Sequence, residues 1–120
     1  MIAWHNCHMT MNVKPRHAVE RYEARARVAK ALAHPSRLMI VDALGAGEQC
    51  VCELTALVGA DQSTVSKHLA VLKHAGLVAD RKEQTKTFYR LRVRCLSGFW
   101  KCVETVLKEN LKEQQSAVGS

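Results

Sequence analysis

Five cysteines are the residues of this chain best suited to chemistry: Cys7, Cys50, Cys52, Cys95 and Cys102. A thiolate is a nucleophile and a soft metal ligand, and a free thiol is also a small apolar group that fills core space. Cys50-Val51-Cys52 puts two sulfurs two residues apart. Such positions point about 200° apart on a regular helix, so both reach one ion only if Cys50 lies at an unwound N-terminal turn. The helix dipole at that place also favours thiolate. Cys95 and Cys102 are seven residues apart and share a helix face, with Phe99 between them and Val106 below. Cys7 is flanked by His5 and His8. Met1–Met11 has neither a basic n-region nor a long apolar stretch, so no secretory signal is expected. An odd cysteine count without a signal points to the reducing cytosol, where thiols serve metal binding, redox chemistry or packing. There is no βαβ order around a redox Cys-x-x-Cys and no carboxylate–histidine constellation, so an enzyme is not expected.

The elements that must position these thiols fit one small domain. The chain has 120 residues and 13.4 kDa, and 48% of it is apolar, enough for a folded core. No apolar run is long enough to span a bilayer. Val19, Tyr22, Ala26, Ala29 and Ala33 recur at helical spacing and predict a first helix from His17 to Ala33. Pro35 suits the first turn of a second helix with Leu38, Val41 and Leu44 inward, stopped by Gly45-Ala46-Gly47. A third helix runs from about Cys50 to Val58, with Gly59 as its stop. Asp61 is the expected N-cap of a fourth helix, Gln62 to Ala75, with Val65, Leu69 and Leu72 buried. Leu77-Val78 begins a strand, Lys82–Lys86 is a polar turn, and Thr87–Val93 is the returning strand. A last helix runs from Leu96 to about Gln114. The expected domain is 16–114, with tails at 1–15 and 115–120. The fold is mainly α with a β-hairpin, in the order ααααββα. Two short helices joined by a Gly-containing turn make a helix-turn-helix, and the hairpin after it is a wing.

Charge locates the reading surface. The net charge is +7, divided as +1 over residues 1–61, +6 over 62–94 and 0 over 95–120. Such concentration is an electrostatic footprint for a polyanion. Gln62, Ser63, Ser66 and Lys67 face outward near the start of the fourth helix, with Thr64 and His68 at that edge. An amide and short hydroxyls there can approach base edges and phosphates of double-stranded DNA, and free helix N–H groups favour phosphate. Lys67 and Lys73 add sequence-independent attraction, and Arg81, Lys82 and Lys86 cluster in the hairpin.

The chain resembles the ArsR/SmtB winged-helix repressors over about residues 28–92. The resemblance lies in Leu32-Ala33-His34-Pro35-Ser36-Arg37-Leu38, Cys50-Val51-Cys52-Glu53-Leu54, Gln62-Ser63-Thr64-Val65-Ser66-Lys67-His68-Leu69, Ala75-Gly76-Leu77-Val78 and Phe88-Tyr89-Arg90-Leu91. It implies a homodimer through the first and last helices, and a repressor that holds operator DNA when metal-free and releases it on binding a toxic metal or metalloid. It also implies a metal site at Cys50 and Cys52. Thr55 stands where the arsenic-sensing branch often has a third cysteine. The third sulfur must then come from elsewhere. Cys7 has that role by analogy with the cadmium- and lead-sensing branch, and Cys95 and Cys102 by analogy with arsenic sensors that use the last helix. Aligned on Tyr89-Arg90-Leu91, the zinc-site positions hold Val93, Cys95, Val106 and Glu109, which do not make a zinc site. Sulfur ligands without Asp or His company favour As(III) or Sb(III), with Cd(II) or Pb(II) next. No organic cofactor and no membrane partner are expected. A winged-helix repressor sensing oxidants or reactive sulfur through cysteine pairs is the alternative.

Overall fold

The computed structural model describes residues 15–119. The elements are α1 (Pro15–Leu32), α2 (Pro35–Gly45), β1 (Gln49–Cys50), α3 (Val51–Val58), α4 (Gln62–His74), β2 (Val78–Glu83), β3 (Lys86–Leu91) and α5 (Leu96–Gly119). The expected helices and hairpin are all present in the expected order.

Local chemistry sets the boundaries. Pro35 opens α2, and His34 caps it by accepting from the Ser36 amide through Nδ1 at 3.1 Å. Gly59 ends α3 in the left-handed conformation, φ 74°, and donates to the Thr55 carbonyl. Asp61 caps α4, accepting from the Thr64 amide at 2.9 Å.

Packing follows the helical stripes. Ile40, Leu54, Val65, Leu69 and Leu72 have 0% exposure. Leu44, Leu77 and Val78 join them, and Tyr89 and Leu91 of β3 pack from one side. In α2, Val41 and Leu44 are buried as expected and Ile40 joins them, while Leu38 is only half-buried.

Four further differences from the sequence reading have physical causes. Strand β1 was not foreseen. It is two residues long and exists by pairing antiparallel to β3, Gln49 opposite Tyr89 and Cys50 opposite Phe88, giving the sheet order β1-β3-β2. The hairpin turn is only Gln84-Thr85, with Gln84 at φ 58°, so Lys82 and Lys86 lie in strands rather than in a loop. The face of α1 against the body is Val28, Ala31 and Leu32, whereas Val19, Tyr22, Ala26, Ala29 and Ala33 are exposed. The last helix is α5, which continues to Gly119, so residues 115–119 are helical where a frayed tail was expected. Phe99, Val106, Leu107 and Leu111 on α5 are exposed as well. Both outer helices therefore carry apolar side chains that the other described residues leave uncovered.

Leu69 tests the core directly. Leu69→Ala leaves a cavity between α4 and its neighbours, and the expected loss is about 3 kcal/mol of unfolding free energy. Urea denaturation followed by circular dichroism reads it as a lowered midpoint with an unchanged slope.

Candidate nucleic-acid interface and sulfur site

Helices α3 and α4, joined at Gly59-Ala60-Asp61, form the helix-turn-helix. Val65, Leu69 and Leu72 occupy the inner face of α4, so Gln62, Ser63, Thr64, Ser66 and Lys67 are exposed on the rest of its first two turns. The cap qualifies the expectation of free N–H groups there. Hydrogen bonds from Thr64 hold the Asp61 carboxyl below its usual range, and they occupy the Thr64 amide. A carboxylate thus stays ionised at the start of the helix, and the nearby Lys67 offsets it.

Three of the expected contact residues are engaged inside the domain. The half-buried His68 accepts from Arg37 Nε through Nδ1 at 3.2 Å, and its ring lies 4.4 Å from that of His34. Arg37 also donates to the Ala31 carbonyl. His68 therefore ties α4 to α2 instead of facing outward. Lys73 pairs with Asp80 of β2 at 2.9 Å. Arg81 is held by Glu48 and Glu83, and its guanidinium lies 4.7 Å from the Phe88 ring centre. Lys67, Lys82 and Lys86 are exposed and form no ion pair with a described residue.

Cys50 is the N-cap of α3, with extended backbone at φ −83° and ψ 160°. This is the unwound position that the Cys-x-Cys spacing requires. Its buried sulfur accepts from the Glu53 amide at 3.4 Å, and Glu53 Oε1 takes the Cys50 N–H in return, a reciprocal cap with sulfur in place of a hydroxyl. The exposed Cys52 lies in the first turn, its Cα 5.4 Å from that of Cys50, and the two are joined as a disulfide. Thr55 does not reach them as a donor group; its hydroxyl donates to the Val51 carbonyl. Cys95, just before α5, and Cys102 within it are free and exposed. Cys7, His5 and His8 lie outside the described residues. Among the described residues no group of three or more His, Cys, Asp and Glu side chains gathers around a common point. The donor set at α3 suits a soft, thiophilic ion in its reduced form, and it provides two sulfurs of the three that a trigonal site needs.

This helix-turn-helix also has relatives. The family model described as bacterial regulatory protein, arsR family, matches residues 34–80. An uncharacterized HTH-type transcriptional regulator of Methanocaldococcus jannaschii is 44% identical over 72 residues, which are 59% of this chain and 81% of that protein. The arsenical resistance operon repressor of Escherichia coli is 37% identical over 81 residues, 61% of this chain and 69% of that protein. The chain belongs to the arsR family. It is a transcriptional regulator with a DNA-binding fold and not an enzyme. The solution structure of a homodimeric winged helix-turn-helix DNA-binding domain from Mycobacterium bovis, a possible ArsR-family regulator, superposes with a TM-score of 0.69. Identity to it is 34%, covering 87% of this chain and 95% of that one. Some relatives are longer: the regulator spans 39% of an HTH-type transcriptional regulator of Mycobacterium tuberculosis. No helix among the described residues is long and apolar enough to cross a membrane.

The inward His68 gives a pH test. Burial pushes its imidazole below the usual range, and His34 and Arg37 add to the push. The folded state thus binds the proton less readily than the unfolded chain does. The contribution is complete above about pH 6.5, the ordinary imidazole value, and is lost as pH falls through the lower folded value. Thermal melts from about pH 8 to about pH 5 are expected to show wild type losing its advantage over His68→Gln as pH falls. A constant gap between the two would contradict this.

Proposed function

We propose that this regulator is a homodimeric repressor that holds double-stranded operator DNA when its thiols are free and releases it when a thiophilic metal(loid) ion binds them. The observation that carries the reading is the meeting of Cys50 and Cys52 at the cap of α3, the helix that precedes α4. Two thiolates there are the start of a sulfur site, and the ion-binding form is the reduced one. As(III) or Sb(III) is the preferred ion, Cd(II) or Pb(II) the next, and no organic cofactor is required. Cys7, or Cys95 and Cys102, supplies the remaining sulfur. The arsenical repressor among the relatives supports an ion of this class. DNA contacts are assigned to Gln62, Ser63, Thr64, Ser66 and Lys67 on α4, with Lys82 and Lys86 in the wing. His68, Lys73 and Arg81 act mainly by holding these elements in place.

The dimer reading is supported by the uncovered Val19 and Tyr22 on α1 and Phe99, Val106, Leu107 and Leu111 on α5. Apolar surface of this kind is removed from water by a second copy, and a two-fold pair of α4 helices then matches half-sites one helical turn apart. The site of action is the cytoplasm, where DNA and reducing conditions coincide.

A second reading rests on the Cys50–Cys52 disulfide. Hydrogen peroxide takes two electrons and two protons from the dithiol, which forms the S–S bond, and becomes two waters. DNA would then be released by oxidation and rebound after thiol reduction, without any ion.

One titration series separates the readings. The duplex probe is selected from a random-sequence pool by the reduced, metal-free protein. As(III) and Cd(II) are added to wild type, Cys7→Ser, Cys50→Ser and Cys102→Ser, with sulfur–metal charge-transfer absorption and DNA anisotropy read together. Wild type should bind stoichiometric ion and lose DNA affinity by about tenfold or more. Cys50→Ser should lose both responses. DNA affinity unchanged by every soft ion sinks the first reading, and release by peroxide alone selects the second.

A further inference from the structure

We propose that the sulfur pair is wired to the wing through Glu48-Gln49-Cys50, so that a change at Cys50 and Cys52 moves the wing lysines relative to DNA. The proposal rests on the sulfur-switch reading above and names the route by which that switch reaches the DNA-facing surface.

Three consecutive residues make the junction. Glu48 receives the Arg81 guanidinium of β2, with Nε 2.9 Å from Oε2. Gln49 lies opposite Tyr89 of β3 and donates through Nε2 to the Ala43 carbonyl at 2.7 Å, which anchors it to the last turn of α2. Cys50 lies opposite Phe88 of β3 and caps α3 with its sulfur. Arg81 is itself opposite Phe88 in the hairpin and rests on its ring. Glu48, Cys50, Arg81 and Phe88 therefore close a ring of contacts between the sulfur pair and the wing.

The coupling is geometric. The extended backbone of Cys50 is what pairs with β3, and the same two dihedrals aim its sulfur at Cys52. An ion or a bond to Cys52 constrains the Cys50 sulfur, and that constraint acts on the dihedrals that hold Phe88. Strand β1 has only two residues, so there is little length over which to absorb a shift. Lys82 and Lys86 lie beyond the Arg81–Phe88 pair toward the hairpin tip. A tilt at that pair is carried to them over roughly 3 to 7 Å of strand. The fixed side of the lever is the core: Gln49 is held to α2, and α2 is packed through Ile40 and Leu44.

The test separates the wiring from the function. The 120-residue chain carrying Cys7→Ser, Cys95→Ser and Cys102→Ser keeps only the thiols of Cys50 and Cys52. Backbone amide shifts are compared between its dithiol form and the disulfide form made with hydrogen peroxide. The amides of Lys82 and Lys86 should shift, and those of Glu109 and Glu113 on α5 should not. Adding Glu48→Gln should reduce the wing shifts by about half or more while the shifts at Val51 and Glu53 persist. In the otherwise wild-type chain, Glu48→Gln should retain stoichiometric As(III) binding by charge-transfer absorption, while the ion-dependent loss of DNA affinity falls from about tenfold toward about threefold. Wing amides that coincide in the two sulfur states overturn the wiring. So does a release ratio equal to wild type in Glu48→Gln. Wing shifts without any DNA release would instead leave the wiring standing and refute the sulfur-switch reading.

Discussion

The close packing of α4 against α2 and α3 is the constraint on which the rest of this small domain depends. Val65, Leu69 and Leu72 occupy positions i, i+4 and i+7, and Leu54 and Ile40 meet them with no solvent contact. Each such side chain contributes on the order of 2 kcal/mol by leaving water. Because that stripe is wholly inside, rotation of α4 about its axis is fixed. The complementary positions 62, 63, 66 and 67 are then turned outward by that stripe, and the hydrogen bond of Ser63 to Asp61 stays within the cap. The polar outer face of α4 is a consequence of the apolar inner one.

A second set of contacts fixes direction rather than stability. His34, Arg37 and His68 join α2 to α4, Lys73 and Asp80 join α4 to the wing, and Glu48 and Arg81 join the wing to β1. Exposed ion pairs add little to folding free energy in water. Their effect here is to remove two cations, Lys73 and Arg81, from the positive segment and use them as braces. The charge excess of residues 62–94 is a property of sequence, but the charge left outside ion pairs among the described residues is carried by other members, Lys67, Lys82 and Lys86 among them. Counting charges locates the reading unit; the pairing pattern decides which of them are available.

What was legible in the sequence is what local rules determine. Pro35, Gly59 and Asp61 mark helix ends because capping involves residues at most four apart, and the 65-69-72 stripe is read by periodicity alone. The elements that escaped depend on distant partners. Strand β1 has no signal of its own and is made a strand by Tyr89 and Phe88, about forty residues later. Val78-Ala79-Asp80-Arg81-Lys82-Glu83 is too charged to announce six strand residues, and it is extended because β3 pairs along its whole length. The inward turn of His68 needs Arg37, thirty-one residues away, and the anchoring of Arg81 needs Glu48, thirty-three away. On α1 the sequence holds two apolar faces, and spacing cannot say which one meets its own body. Val28, Ala31 and Leu32 do so, leaving Val19 and Tyr22 uncovered by the described residues.

The placement of the sulfur pair follows from a similar conflict between local and distant demands. Within a helix, Cys50 and Cys52 would point apart; within a strand, alternate residues point the same way but lie about 7 Å apart. Neither regular structure brings the two sulfurs together. An N-cap residue can do it because its backbone is extended while its neighbours on one side are helical. That same dual character lets Cys50 be the last residue of β1 and the cap of α3 at once. In this chain the Cys-x-Cys pair closes at a strand-to-helix junction. In a winged helix-turn-helix, the junction before α3 is the one where a strand of the wing's own sheet meets the first helix of the DNA-reading pair.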